Sequence, residues 1–451
     1  MNAGEMQWIA DNLFVGNKLT SGDIRTSEGV QIDLRNIKSP IVVFCSWGDN
    51  ITPPQQALGW ISDIYRDDED LITSGQTIIY SVHETVGHLG IFVSGKIATR
   101  EHEEFASAMD MIDVMPPGLY EAVIEDVGEE IANPSLIDGK YLFRLVPRTL
   151  EDIRELGGNS PEDDAKFAAV DRISTMNRRL YQTYVGPFVR SVTPPAFGEW
   201  ARKMHPNRVR FAIFSDENPA MALVADAAER IRKERAPIGE QNMFAAAEKT
   251  MAASVSAGLA AFGAARDAMT EQMFHLTYGS PFLQALVGLD PKGVEDARRP
   301  EREALREQAK SKRREELEKL FEEGGAAEAA LRSIIYIRRG EGGADERSFA
   351  VLKELHDTQP PGRPRSMAQL KKALGEQSLL LRIDEARAVA AIPKLLPADR
   401  DERRRTLRAV ERLASAQAQL SPEGERRLAQ IVKLFAVPAG KAASKEGADA
   451  R

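Results

Sequence analysis

Two short apolar stretches separated by a helical pattern constrain this chain more than any other feature. Ile41–Cys45 and Thr77–Val82 are rich in branched and aromatic residues, which predicts two buried strands. Between them, Pro53 and Pro54 suit the first turn of a helix. Apolar residues then recur at helical spacing: Ala57, Leu58, Trp60, Ile61 and Ile64. A strand, a helix and a second apolar strand predict a right-handed βαβ unit in a parallel sheet.

The pattern changes further along the chain. A helix is predicted from Lys96 to Asp113, and the partly alternating stretches Leu119–Val127 and Lys140–Arg148 predict a β-hairpin around intervening turn signals. From Pro161 onward the chain is predicted to be helical, except for a strand at Val209–Phe214. The expected fold class is α/β with parallel strands, followed by a small α+β segment and a mostly all-α C-terminal region.

We divide the chain into five regions from these patterns. They are a partial α/β domain at 1–113, an α+β middle region at 114–236, long amphipathic and charged helices at 237–325, a small all-α domain at 326–438 and a disordered tail at 439–451. A chain of 451 residues can bury more than one core, and its length predicts two to four domains.

Charge and composition exclude several classes of function. The net charge of -8 over 451 residues argues against a general nucleic-acid binder, which needs clustered Lys and Arg. The single cysteine, Cys45, rules out an intrachain disulfide and a multi-cysteine zinc site.

The N-terminus lacks a signal-peptide pattern and no run is apolar enough to span a bilayer, so a cytoplasmic protein without a transmembrane segment is expected. No cofactor is predicted, because phosphate-loop, dinucleotide and EF-hand patterns are absent and His83 to His88 is one residue too long for HExxH spacing.

Two residues after the predicted strands have the chemistry of a catalytic pair. Asp49 follows the first strand, and His88 follows the second in Gly87-His88-Leu89-Gly90. Loops after parallel strands meet at one edge of a sheet, where an Asp orients a His and stabilises its imidazolium. Each residue alone also fits a plain turn. His83 is the competing base, and the remaining histidines are isolated and predicted to be structural: His102, His205, His275 and His356.

Four segments surround these residues: Asp11–Leu19, Ile32–Leu34 with Ile37–Pro40, Gly48–Pro54 and Gly87–Gly95. In order and with their flanking prolines and glycines, they resemble the C-terminal part of poly(3-hydroxyalkanoate) synthases over about residues 11 to 96. The match looks closest to a synthase-like bacterial family that continues through the helical remainder. The resemblance implies the C-terminal part of an α/β-hydrolase fold, with Asp49 as the triad acid and His88 as the triad base.

The nucleophile of that family is missing. Such enzymes carry a Gly-x-Cys-x-Gly or Gly-x-Ser-x-Gly elbow before the acid and the histidine, and neither pattern occurs in this sequence. Cys45 lies at a strand end, four residues before Asp49, and is predicted to be structural. Two parallel strands alone also leave an open apolar edge. The expectation is that Met1 is an internal or misassigned start, or that the gene is truncated, and that the complete protein carries roughly 300 further N-terminal residues; a separately encoded chain is the alternative.

Two functions follow as hypotheses. The first is acyl transfer or ester hydrolysis on hydroxyacyl thioesters or polyesters, with this chain inactive alone because the nucleophile is absent. The second is a non-catalytic binding or scaffold role, in which the helical region contacts a polyester granule, a membrane surface or a partner protein. The Ala-, Met- and Phe-rich stretch Met243–Leu289 motivates the second hypothesis, because such residues give an adaptable apolar surface.

Overall fold

The computed structural model describes residues 2–15, 17–128, 131–137, 139–157, 160–236, 239, 242–289, 299–357, 366–417 and 419–436. The predicted tail at 439–451 lies outside the described residues. The strands are β1 Ile41–Ser46, β2 Thr77–His83, β3 Gly118–Asp126, β4 Tyr141–Arg148 and β5 Ala344–Asp345. No helix within the described ranges is both long enough and apolar enough to cross a membrane.

The helices of the first half of the chain are α1 Ala3–Ile9, α2 Pro54–Ile64, α3 Asp68–Thr73, α4 Gly90–Val93, α5 Gly95–Ile97, α6 Glu103–Ser107, α7 Met109–Val114, α8 Leu150–Arg154, α9 Pro161–Leu180, α10 Gly186–Val192, α11 Pro195–Lys203, α12 Pro206–Phe214 and α13 Met221–Lys233. Those of the second half are α14 Met243–Tyr278, α15 Pro281–Leu286, α16 Arg299–Leu320, α17 Ala326–Ile337, α18 Glu346–Asp357, α19 Met367–Ile383, α20 Glu385–Leu395, α21 Arg400–Ala414 and α22 Pro422–Ala436.

The chain folds into two compact units. The helical unit comprises Met1–Gly16 and Pro161–Val294, and the sheet unit comprises Asn17–Ser160 and Glu295–Arg451. This division differs from the five consecutive regions expected from the sequence, because the sheet unit is assembled from two distant stretches of the chain. Contacts between residues far apart in sequence decide such a division, and a local pattern carries no information about them.

The sheet unit contains one mixed five-stranded sheet in the order β1-β2-β3-β4-β5. β1 pairs with β2 in parallel, as the βαβ pattern predicts, and β3 continues the parallel pairing on the other side of β2. β3 and β4 form the predicted antiparallel hairpin, and the two-residue β5 adds to β4. The α/β character of this part of the chain and the helical character of its C-terminal region are therefore confirmed.

β1 forms one edge of this sheet. The strand was expected to be fully buried, yet its first four residues are only partly covered and Val42 is 40% exposed. Among the described residues, no strand pairs with the outer side of β1. An apolar parallel strand at an open edge leaves backbone donors and acceptors available to a further strand.

The sheet and the C-terminal helices share one hydrophobic core. The cluster that contains Leu58 of α2 and Ile78 of β2 also contains Leu380 of α19, Ile392 of α20 and Val410 of α21. The apolar spacing predicted for residues 326–436 is thus confirmed as helices, but these helices pack on the sheet and do not form a separate core. The difference arises because their apolar faces cover both one another and the sheet.

A fully buried arginine joins three helices in this core. The Arg332 guanidinium donates from Nε to Gln377 Oε1 at 2.7 Å, and from Nη1 to the Phe321 carbonyl at 2.8 Å and the Ala388 carbonyl at 3.0 Å. Burial lowers the pKa of Arg332 to about 10, so the side chain stays charged at neutral pH. The Phe321 carbonyl follows the C-terminus of α16, where a cation also interacts favourably with the helix dipole.

The helical unit is built almost wholly from helices with exposed apolar side chains. Among its described hydrophobic residues, only Ala169 and Leu289 are buried. Its longest element, α14, spans 36 residues and contacts α9 near its C-terminal end, where the rings of Phe167 and Phe274 lie 5.2 Å apart. Most of the surface of α14 is therefore open within this unit.

One strand prediction was wrong, and one helix prediction is confirmed as helical but not as a single helix. Val209–Phe214 lies in α12, which has Pro206 in its first turn and the His205 imidazole accepting from the Asn207 N–H at its start. A strand there would need a neighbouring strand, whereas a helix satisfies its own backbone groups. The single helix expected at Lys96–Asp113 is a series of short pieces, including a π-helical turn at Ala98–His102 and a break at Ala108 before α7.

Candidate active site

Two loops at one edge of the sheet carry the residues singled out from the sequence. Ser46 and His83 are the last residues of β1 and β2 and lie opposite each other in the parallel register. The Trp47 N–H donates to the His83 carbonyl at 2.9 Å, which extends the pairing by one residue into the loops. The acid loop, residues 47–52, and the histidine loop, residues 84–89, therefore start side by side.

Gly48 lets the two loops approach at backbone distance. A Cβ atom on Gly48 would lie 2.3 Å from the Thr85 carbonyl oxygen and 2.8 Å from that of Val86. Side chains do not fit at such distances, so this position requires glycine for space. In the sequence, Gly48 looks like an ordinary turn residue, and its place directly before the acid is the signal that could have identified this role.

Asp49 is held rigidly inside the acid loop. Its side chain is only 2% exposed, and Oδ1 accepts hydrogen bonds from the Ile51 N–H at 2.8 Å and the Thr52 N–H at 3.0 Å. Burial acts to raise the pKa of Asp49, but the hydrogen bonds from Thr52, His88 and Ile51 outweigh it and hold the pKa below the ordinary 3.8. Asp49 is consequently a carboxylate at neutral pH, with Oδ2 directed at the histidine loop.

The structure brings Asp49 and His88 together as the sequence predicts. His88 Nδ1 lies 2.8 Å from Asp49 Oδ2, which is the distance of a strong hydrogen bond. A carboxylate can only accept, so Nδ1 carries the proton and, in the neutral ring, Nε2 has a free lone pair. The ring is 38% exposed, and none of the described residues hydrogen-bonds Nε2. The pair therefore presents an oriented base to the outside of the loops.

His83, the competing base, has a different role. Its Nδ1 accepts from the Thr85 N–H at 3.1 Å and the Val86 N–H at 3.2 Å, and its Nε2 lies 4.0 Å from Glu101 Oε1. Two backbone donors on one ring nitrogen fix the start of the histidine loop and occupy the lone pair that a base would use. His83 is thus a structural residue that shapes the loop carrying His88.

Cys45 lies within the sheet and away from the loops. Its side chain is 1% exposed, and its Sγ is 3.6 Å from the Ser81 carbonyl oxygen. Burial raises the pKa of the Cys45 thiol to about 12, with a smaller contribution from Glu121. A nucleophile must be a thiolate, so this environment is the opposite of an activating one.

Both loops expose large apolar side chains around the pair. These are Trp47 and Ile51 on the acid loop, and Leu89, Phe92 and Val93 on and just after the histidine loop. Five such residues on adjoining segments form an apolar patch, and patches of this kind mark candidate interaction surfaces.

One cavity of the sheet unit lies away from the two loops. It has a volume of about 980 Å³, and neither Asp49 nor His88 lines it. Its walls are charged, and pairs such as Arg66 with Glu307 at 2.8 Å and Lys310 with Asp67 at 3.8 Å cross between α16 and the loop before α3. Six Arg or Lys residues and four Asp or Glu residues line it, and since neither Asp49 nor His88 is among them, this cavity is not part of the candidate site.

Comparison with known proteins places this chain in a family. The family described as "Protein of unknown function (DUF3141)" matches residues 1–321. A curated relative from Rhizobium meliloti, "Uncharacterized protein in ackA 5'region", is 43% identical over 435 residues, which cover 96% of this chain and 59% of the relative. The chain thus spans less than two thirds of that relative's length. No solved structure matches the chain significantly.

Proposed function

We propose that this chain, which belongs to the DUF3141 family, contributes the acid and the base of a hydrolase-type acyl-transfer site like that of poly(3-hydroxyalkanoate) synthases. The observation that carries the proposal is the 2.8 Å contact between Asp49 Oδ2 and His88 Nδ1 at the carboxyl ends of two parallel strands. The substrates are hydroxyacyl thioesters or polyesters, and a Cys or Ser outside this chain acts as the nucleophile.

The roles follow from the orientation of the pair. His88 Nε2 removes the proton from the nucleophile, which attacks the acyl carbonyl and displaces the thiolate or alkoxide, and the imidazolium returns its proton to the leaving group. Asp49 keeps Nδ1 protonated and stabilises the imidazolium charge. The exposed apolar side chains of the two loops, among them Trp47 and Phe92, suit the aliphatic part of a hydroxyacyl chain.

The open edge of β1 supports an external nucleophile. A further parallel strand on that side would end at the same edge of the sheet as Asp49 and His88. Neighbouring strands lie about 4.8 Å apart, so a nucleophile on the strand next to β1 would be about 10 Å to the side of β2, the strand that precedes the histidine loop. The greater length of the relative leaves room for such strands in a longer protein; a second chain is the alternative source.

The test starts at the gene and ends with an assay. The reading frame upstream of the Met1 codon is searched for Gly-x-Cys-x-Gly or Gly-x-Ser-x-Gly, and the intact mass of the native protein is measured against 49.8 kDa. The longer protein is then assayed for coenzyme A release from a hydroxyacyl thioester and for hydrolysis of an activated ester. His88→Gln and Asp49→Asn should lower kcat by about 10³–10⁴-fold, while His205→Gln should not change it.

The chain alone provides the control. It should release no product from either substrate, because no described residue supplies a nucleophile beside His88. Ester hydrolysis by the chain alone that His88→Gln abolishes would show that the nucleophile lies within it, and a longer protein unaffected by His88→Gln would exclude the catalytic role.

A second candidate function rests on helices α10 to α12. Residues 186–214 carry five Lys or Arg residues and one Glu, in a chain with a net charge of -8. The same segment exposes large apolar side chains: Phe188, Phe197, Trp200, Phe211 and Phe214. Cations beside exposed aromatic rings suit an anionic lipid surface or a polyester granule. Co-sedimentation with anionic vesicles or granules, lost in Trp200→Ser with Arg208→Ser, would support this role; no co-sedimentation would exclude it.

A further inference from the structure

Helix α14 carries a continuous line of large apolar side chains. At about 100° per residue, they fall on one side of a helix roughly 54 Å long. We call this set the apolar seam: Phe244, Met251, Val255, Leu259, Phe262, Met269, Met273 and Leu276. Each of them is between 56% and 75% exposed. Such a line across a whole helix is far more than the apolar surface that a monomer usually leaves open.

The other side of α14 is the one that packs within the helical unit. Its partly buried residues are Ala245, Gly263, Phe274 and Tyr278, and all of them lie about 100–160° around the helix from Phe244. Phe274 is the residue that contacts Phe167 of α9. The helix is therefore anchored by one side, and the apolar seam points away from that contact.

The seam has the seven-residue repeat of a coiled coil. Val255, Phe262, Met269 and Leu276 occupy one position of the repeat, at intervals of seven. The second core position holds Phe244, Met251, Gly258, Ala265 and Gln272 in turn. Large residues thus alternate along the core with the small residues Gly258 and Ala265, which leave holes that a large side chain of another helix could fill.

We propose that the seam pairs antiparallel with the seam of a second copy of this chain. When the two helices cross at the level of Ala260, each large residue meets a suitable partner. The facing pairs are Phe262 with Gly258, Val255 with Ala265, Met251 with Met269, Phe244 with Leu276 and Glu248 with Gln272. Each of these pairs occurs twice in the two-fold dimer, so the complementarity extends over the whole helix.

Charge excludes the parallel arrangement. A parallel dimer places each core residue opposite itself, which puts two Glu248 carboxylates together in the seam and leaves Gly258 facing Gly258. In the antiparallel register, Glu248 of one copy faces the side-chain amide of Gln272 of the other. Next to the crossing point, at a position that flanks the core, Leu259 of one copy lies beside Leu259 of the other. Arg266 faces Ala252 and His275 faces Ala247, so no two like charges meet.

The length of α14 matches what a stable interface needs. Five heptads with two core and two flanking positions each give about 20 contacting residues per copy, at the lower end of the 20–30 typical of a specific interface. Met251, Met269 and Met273 also suit this role, because flexible thioether side chains fill irregular gaps between helices.

Molar mass in solution tests the pairing with the full chain. Light scattering after gel filtration at micromolar concentration should give twice 49.8 kDa for the unmodified chain and 49.8 kDa for Phe262→Glu. Ala253→Glu is the matched control, because it adds the same charge at an exposed position on the other side of the same helix. It should stay dimeric, and equal far-ultraviolet circular dichroism of both variants shows that the helices are intact. A monomeric unmodified chain, or a dimeric Phe262→Glu, overturns the proposal.

Disulfide trapping tests the register. In a Cys45→Ala background, oxidation of Val255→Cys with Ala265→Cys should link two chains, because each cysteine faces the other residue on the partner. Val255→Cys alone should not link. Linking by the single variant would show a parallel pair and overturn the antiparallel register.

Flotation of a monomeric chain with neutral vesicles, abolished by Phe262→Glu, would show that lipid covers the seam and would also overturn the proposal.

Discussion

The two units of this chain treat their large apolar side chains in opposite ways. In the sheet unit, one core unites the sheet with helices that are more than 200 residues away in sequence, and even the charge of Arg332 is buried with its hydrogen bonds made. In the helical unit, Phe211, Trp200 and the apolar seam of α14 are exposed. The sheet unit therefore has a core of its own, whereas the described part of the helical unit leaves most of its large apolar side chains exposed.

The largest expected difference between the two units is in the stability that is lost when a phenylalanine ring is removed. Phe321 is fully buried beneath the Arg387 guanidinium, which lies 4.1 Å from its ring centre. Phe321→Ala should lower the free energy of unfolding of the sheet unit by about 3–5 kcal/mol, because a cavity replaces the ring. Phe211→Ala, in the helical unit, should change it by less than about 0.5 kcal/mol. Urea unfolding followed by circular dichroism measures both, and equal effects would mean that Phe211 is covered in solution.

An intermediate effect is expected where the loops of the site touch. Gly48→Ala should lower the free energy of unfolding by about 2 kcal/mol, because the added Cβ meets the Thr85 carbonyl and forces the loops apart. The nuclear magnetic resonance signal of the hydrogen-bonded His88 Nδ1 proton should disappear with it. Gly87→Ala is the control, since its Cβ has only an ordinary contact at 3.9 Å to Gly48. Persistence of the signal in Gly48→Ala would show that the pair does not need this close approach.

The smallest expected effect is a change in thermal stability at acid pH. The lowered pKa of Asp49 means that the folded state favours the carboxylate, so this stabilisation is fully present above the unfolded pKa and is lost as the pH falls through the folded pKa, below 3.8. Between pH 5 and pH 8 its contribution should be constant. Thermal unfolding across pH, compared with Asp49→Asn, checks this: the difference in Tm between the two proteins should narrow only in the acid range. Narrowing near neutral pH would contradict the carboxylate assignment.

The structural elements that could be predicted from the sequence are those that local patterns determine. Apolar runs and helical spacing predicted β1, α2, β2 and the β3–β4 hairpin, and the order of strand and loop predicted that Asp49 and His88 would meet. Long-range pairing was not predictable in this way. β5 is two residues long and has no strand pattern of its own, and nothing in the sequence around Arg332 shows that its partners lie on α19 and α20.

Of the candidate site, only the pairing of Asp49 with His88 could be predicted from the sequence. The Asp49–His88 contact follows from strand order, whereas the absence of space at Gly48 and the role of His83 depend on how the two loops lie against each other. The strand wrongly predicted at Val209–Phe214 has a similar cause. Its apolar residues could not be assigned to a strand or a helix without knowing what they would pack against.

Arg332 has a consequence for how the sheet unit opens. Its guanidinium holds the end of α16, Gln377 of α19 and the Ala388 carbonyl of α20 at once, so none of the three helices can separate from it alone without leaving a buried charge short of partners. The backbone amides of α17, α19, α20 and the C-terminal end of α16 should consequently exchange their hydrogens with solvent together, as a single cooperative unit, rather than helix by helix.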